Sequence, residues 1–164
     1  EQNTGLRLMQ SLNSDQKRRA TINESKVRND QVAAANQDNL VLDYEGIKGS
    51  DLSSQQRLHL LNVIRAFVGA LRDPHAKVTM EEIGEHLDDT YFAWVGESEE
   101  DSVFYYRVHS PVILIEFDHQ GPVGTLHKNQ AGVPTRDHIH TIVRTPNGND
   151  YGKDLLAQHL ANEH

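Results

Sequence analysis

The chain has 164 residues, 37% of them hydrophobic and 24% charged, which suits one globular domain rather than a disordered tract. Its formal charge of −8 argues against a surface that binds nucleic acid non-specifically. Cysteine is absent, so disulfides, thiolate metal sites and Cys nucleophiles are excluded together, and no apolar run approaches the ~20 residues of a membrane-spanning helix.

Leu6, Leu8, Met9 and Leu12 make a short apolar stripe at the start of the chain. Ser14 with Lys17 to Arg19 reads as a capped helix carrying a basic face. Residues 23–39 hold many Asn and few large apolar side chains, and read as a weak helix or an exposed connection. Residues 1–39 are therefore expected to form a helical N-terminal arm or linker, ahead of an α+β domain over 40–164. Leu40 to Tyr44 reads as a short buried segment, punctuated by Gly46 and Gly49. Ser53 and Gln56 form a capping box before Leu60, Leu61, Ile64, Phe67, Val68 and Leu71, which recur at helical spacing. Asp73-Pro74 is expected to end that helix, and a second one to run from about Met80 to Leu87.

Strand signals follow. Tyr91 to Val95 is aromatic and β-branched. Phe104 to His109 and Val112 to Phe117 flank Ser110-Pro111 and read as a hairpin. A tight turn there pairs His109 with Val112, Arg107 with Leu114 and Tyr105 with Glu116, and makes Pro111 a candidate for a cis bond. His138 to Arg144 is a further strand, and Pro146-Asn147-Gly148 turns it. Asn149 or Asp150 is expected to cap a last helix reaching about Leu160. The expected fold is α+β: an antiparallel sheet from the C-terminal half, with N-terminal and C-terminal helices packed against it.

Five of the ten histidines fall between residues 109 and 140. Side chains alternate along a strand, so His138 and His140 share a face with Ile142 and Arg144. Two imidazoles spaced this way can grip one divalent transition metal, zinc or copper first. His119, His109 or Glu116 would complete the shell, leaving a two-His-plus-carboxylate set as in open catalytic sites. A structural pair on a sheet surface, or metal-free active-site groups, would read the same in sequence. On the hairpin, Tyr105, Arg107 and His109 lie on one face of the first strand and Val112, Leu114, Glu116 and Asp118 on one face of the second, and their pairing would bring Arg107 close to Glu116 diagonally. Arg107 and Arg144 are candidate clamps for an anionic substrate, and Tyr105 a candidate proton donor; a plain sheet salt bridge is the competing explanation for Arg107. No dinucleotide-binding glycine pattern, phosphate-binding loop, Gly-x-Ser-x-Gly elbow or His-Glu-x-x-His motif occurs.

Three strings occur in order: Tyr91-Phe-Ala-Trp-Val-Gly96, Phe104-Tyr-Tyr-Arg-Val-His-Ser-Pro-Val-Ile-Leu-Ile-Glu-Phe-Asp-His119, and His138-Ile-His-Thr-Ile-Val-Arg-Thr-Pro-Asn-Gly-Asn-Asp-Tyr-Gly152. Together they resemble the domain-of-unknown-function family 3500 of bacteria and fungi, and Asn39 to Gly46 fits the same pattern. The resemblance covers nearly the whole chain and brings no activity with it. It implies that this chain corresponds to the C-terminal half of longer members, with Gly5 to Leu12 as the helix joining two related halves.

The leading expectation is a metal-dependent enzyme, hydrolytic or oxidative, acting on a small polar or anionic substrate, with no nucleic-acid or membrane partner. The alternatives are a non-catalytic carbohydrate- or carboxylate-binding module using the Tyr/Arg/His face, and a structural half that pairs with an N-terminal half of the same protein or with a second copy. The start at Glu1 and the absence of Cys are compatible with an exported, processed chain.

Overall fold

The structure, a computed structural model, describes residues 1–33, 37 and 39–150. Two helices open the chain, α1 (Gln2–Ser11) and α2 (Ser14–Ala20), followed by the short strands β1 (Thr21–Asn23) and β2 (Ile47–Lys48). Helices α3 (Ser54–Val68) and α4 (Asp73–Glu85) come next, then strands β3 (Tyr91–Gly96), β4 (Phe104–His109), β5 (Leu114–His119) and β6 (Ile139–Arg144). The class is α+β, as expected. The sheet runs β1-β3-β4-β5-β6, with β2 also paired to β3. All pairings are antiparallel except β1 with β3.

Local chemistry sets the helix boundaries. Asn13, one residue before the expected Ser14, caps α2 with Gln16 in a reciprocal box, and Ser53 with Gln56 does the same for α3. Pro74 sits in the first turn of α4, where a missing N–H costs nothing, so α4 starts at Asp73 rather than near Met80. The helix expected after residue 150 lies outside the described residues. None of the helices among the described residues is long and apolar enough to cross a membrane.

The hairpin turn is longer than the tight one expected. Ser110 N–H donates to Ile113 O, closing the turn, and His109 pairs with Leu114, Arg107 with Glu116 and Tyr105 with Asp118. The register is thus displaced by two residues. An even shift keeps every side chain on its expected face. Pro111 is trans, since no described peptide bond is cis.

One face of the sheet carries Phe92, Trp94, Phe104, Tyr106, Val108, Ile115 and Phe117, all buried with Leu8, Leu60, Ile64 and Ile83 of the helices. The aromatic rings stack across strands: Trp94 on Phe104 at 4.4 Å, Tyr106 on Phe117 at 5.0 Å. Helix α1 lies so close that a Cβ at Gly5 would fall 2.2 Å from the Tyr106 ring. Strand β6 extends past this cover, and Ile139 and Val143 stay exposed.

The opposite face is covered by a strap, the described residues of the segment between β1 and β2 (24–33, 37 and 39–46), which form neither helix nor strand. Residues 40–44, expected to be buried, are partly or fully exposed here. Gly46 ends the strap at φ +94°, where a Cβ would meet Phe92 O at 2.1 Å, so the chain there presses directly on β3.

Candidate functional site

The period of two in β4, β5 and β6 puts Tyr105, Arg107, His109, Glu116, Asp118, His140 and Arg144 on the strap face. Two buried carboxylates two residues apart on a strand need donors, because an unpaired charge cannot be held away from water. The strap supplies them from its main chain. Glu116 accepts from the N–H groups of Val32 (2.9 Å) and Ala33 (2.7 Å), and from the Tyr105 hydroxyl at 2.5 Å. Asp118 accepts from the N–H groups of Asp30 (3.0 Å) and Gln31 (3.2 Å) and from the Gln120 amide (3.0 Å). Its second oxygen lies 3.1 Å from Lys26 Nζ, which also pairs with Asp30 at 3.1 Å. Burial, then the Glu116 charge, pushes the Tyr105 phenol well above its ordinary range, so it stays protonated and donates to Glu116. This arrangement is a clasp. It occupies Tyr105 and Glu116, two of the groups expected to carry chemistry.

Farther along β4, Arg107 donates from Nη2 to the Glu45 carboxylate on the strap. His109 is buried beneath Tyr44, whose ring stacks on it at 4.3 Å and on Tyr91 at 5.0 Å. Burial, then the Arg107 charge, holds His109 below its ordinary range and keeps it neutral. Arg144 is held by Asp150 at 2.8 Å and by Gln37 O at 2.6 Å. It ties the strap to the Asn147-Gly148 turn, whose two residues take positive φ as the sequence suggested.

His119 points the other way. It lies among Phe104 and Phe117 on the helix face, its Nδ1 accepts from Phe104 N–H at 3.0 Å, and its Nε2 donates to Gln2 Oε1 at 2.7 Å. Burial, reinforced by the Arg136 and Lys26 charges, lowers it to about 4, which fixes it as a neutral structural group. It does not meet His138 and His140, and neither does His109.

His138 and His140 do meet. Their Nε2 atoms are 3.0 Å apart, at the solvent-facing edge of the sheet. His138 Nδ1 lies on the Gly121 carbonyl, which can only accept, so the proton is on Nδ1 and the Nε2 lone pair faces His140. Nitrogens 3.0 Å apart and each about 2.1 Å from a shared ion subtend roughly 90° at it, nearer the cis angle of tetragonal copper(II) than the tetrahedral angle of zinc. Among the described residues there is no group of three or more His, Asp or Glu able to hold a metal, so neither a carboxylate nor a third imidazole joins the pair there. The pair and Arg107 are also separate: strand spacing of ~4.8 Å and a rise of ~3.4 Å per residue put the backbones of His140 and Arg107 roughly 12 Å apart.

The strap residues Lys26, Asp30, Tyr44 and Glu45 were not singled out from sequence. The available signal was indirect: Glu116 and Asp118 on a strand buried on both faces demand a donor-rich cover from elsewhere. A cleft of about 770 Å³ between α2 and the β1–β3 edge contains none of the candidate residues, and its charged walls, Lys17, Arg18, Glu24 and Glu97, are mostly solvated.

Residues 1–153 match the family model described as "Protein of unknown function (DUF3500)", and the chain belongs to that family. No curated protein and no solved structure matches it.

Proposed function

We propose that this family member is a metal-dependent enzyme whose ion is held at the exposed sheet edge by His138 and His140, copper before zinc. The open coordination positions would face a small polar or anionic substrate. One observation carries this reading: the two Nε2 atoms lie 3.0 Å apart, with the His138 tautomer set by the Gly121 carbonyl. A backbone carbonyl on the far nitrogen is the usual outer partner of a ligating imidazole, fixing both its tautomer and its ring orientation. The rigid part of the site is β6, which pairs with β5 along its whole length. A bound divalent ion would supply Lewis acidity toward a substrate oxygen or a water. The chain's own contribution is to hold two lone pairs at fixed separation in the open, where a substrate reaches them without strap movement.

The test is elemental analysis of protein loaded with copper(II) or zinc(II) and dialysed. We expect near-stoichiometric copper in the wild type, weaker zinc, and at least about tenfold weaker retention in His138→Ala and His140→Ala, the scale of loss from disturbing a metal site. Both variants should keep their far-UV circular dichroism, because neither side chain belongs to the core. No retention by the wild type, or equal retention by the variants, would sink the proposal. The pair would then be an N–H···N hydrogen bond, for which 3.0 Å is equally suitable, and the binding-module reading would take its place.

A further inference from the structure

The clasp leaves one buried cation only partly used. Arg107 is 4% exposed, and its Nη2 donates to Glu45, but its Nε has no partner among the described residues. Nε and Nη2 lie along one edge of the guanidinium, the edge on which a carboxylate binds with both oxygens at once. Glu45 therefore fills half of a two-point site. A buried donor that makes no hydrogen bond is a cost to the fold, so the free Nε–H is a feature that a ligand can relieve. Two residues along the same face, His109 Nδ1 is a second buried nitrogen without a hydrogen-bond partner among the described residues.

The surroundings suit a ligand. Ala93, the cross-strand neighbour of Arg107, presents only a methyl group to this face. Tyr44 lies over His109 and is itself 41% exposed, so its ring can form a wall that solvent reaches. The Glu45 carboxylate is 50% exposed, whereas the backbone just after it is seated on β3 at Gly46. The side chain can swing into water while the strap stays in place.

We propose that Arg107 is the floor of a binding site for a carboxylate-bearing small molecule, and that the Glu45 side chain is its built-in, displaceable occupant. The incoming carboxylate accepts from Nε and Nη2 together, Glu45 turns to solvent, and the Tyr44 ring borders the rest of the ligand. The site stands apart from the histidine pair, so loss of metal binding leaves it untouched.

The experiment is a titration of the full chain with acetate at constant ionic strength, followed through the Arg107 Nε–H resonance and, for variants, through the strap amides. The wild type should bind weakly. Glu45→Gln should bind about tenfold more tightly, because it removes a tethered competitor present at millimolar effective concentration or above. Arg107→Lys keeps the charge but loses the fork, and should abolish the response. Equal affinity in wild type and Glu45→Gln would overturn the proposal, as would an unchanged response in Arg107→Lys. If Arg107→Lys fails to fold, Glu45→Gln decides alone, since Glu45 is a half-exposed side chain. Sulfate binding as tightly as acetate in Glu45→Gln would overturn the assignment to carboxylates.

Discussion

The two faces of this sheet are built from the same strands by opposite means. On the helix face, Trp94, Phe104, Tyr106 and Phe117 stack under α1 and α3, and cohesion comes from apolar area and ring contact. On the strap face, Glu116 and Asp118 are as deeply buried, and cohesion comes from charge-assisted hydrogen bonds to four successive main-chain N–H groups. The contrast teaches that burial alone does not define a core. The first face holds the fold together. The second holds one segment in place and, among the described residues, leaves Arg107 Nε and His109 Nδ1 without hydrogen-bond partners.

Breaking the helix face should have the largest effect. Phe117→Ala removes a ring stacked on Tyr106 and Phe104, and should lower global stability by about 3–5 kcal/mol in denaturant unfolding. A loss under about 1 kcal/mol would mean that the ring stack is not the main source of cohesion. The next effect sharpens the same face by pH. The folded state holds His119 at about 4 against an ordinary 6.5, so the unfolded chain takes up its proton first as pH falls. Stability from this group is complete above pH 6.5 and is lost between 6.5 and about 4, on the order of 3 kcal/mol. His119→Gln should flatten that part of the stability profile, and an unchanged slope would assign the acid sensitivity elsewhere.

The smallest of the three effects tests the strap. Glu116→Gln replaces a carboxylate that takes three hydrogen bonds, and should cost about 2 kcal/mol. Its signature should be local. Amide hydrogen exchange at residues 30–33 should accelerate, while the β3–β4 amides keep their protection. Uniform acceleration across both would show that strap and helix face unfold as one unit, and the distinction between them would fall.

Much of the helix face was legible in sequence because it follows period and propensity. The capping box at Ser53, the apolar spacing through Val68 and the aromatic strand from Tyr91 all led to real elements. Alternation also assigns every hairpin side chain to its observed face, although the turn is longer than the tight one the sequence suggests. The strap face was not legible, for a physical reason. Its cover is a polar segment whose contribution is main-chain N–H, which no side-chain pattern reports. Strands β1 and β2 escaped for a related reason: at three and two residues they are too short to show a period. Within the candidate site, the meeting of His138 and His140 followed from their spacing. The opposite placement of His119 was also implicit in alternation, because it shares a face with Phe117 rather than with Glu116. The role of Glu45 was not visible, since nothing local links it to an arginine 62 residues away.

The clasp has a consequence for how this protein can vary. At Gln31 and Val32, Asp118 and Glu116 grip peptide N–H groups rather than side chains, so the recognition there is blind to residue identity. Nineteen of the twenty amino acids offer the same N–H, and proline alone does not. The segment can therefore drift widely in composition while its path stays constant, provided that both acids persist and proline stays out. In such a stretch, relatedness would be carried by the geometry of the chain and not by its letters.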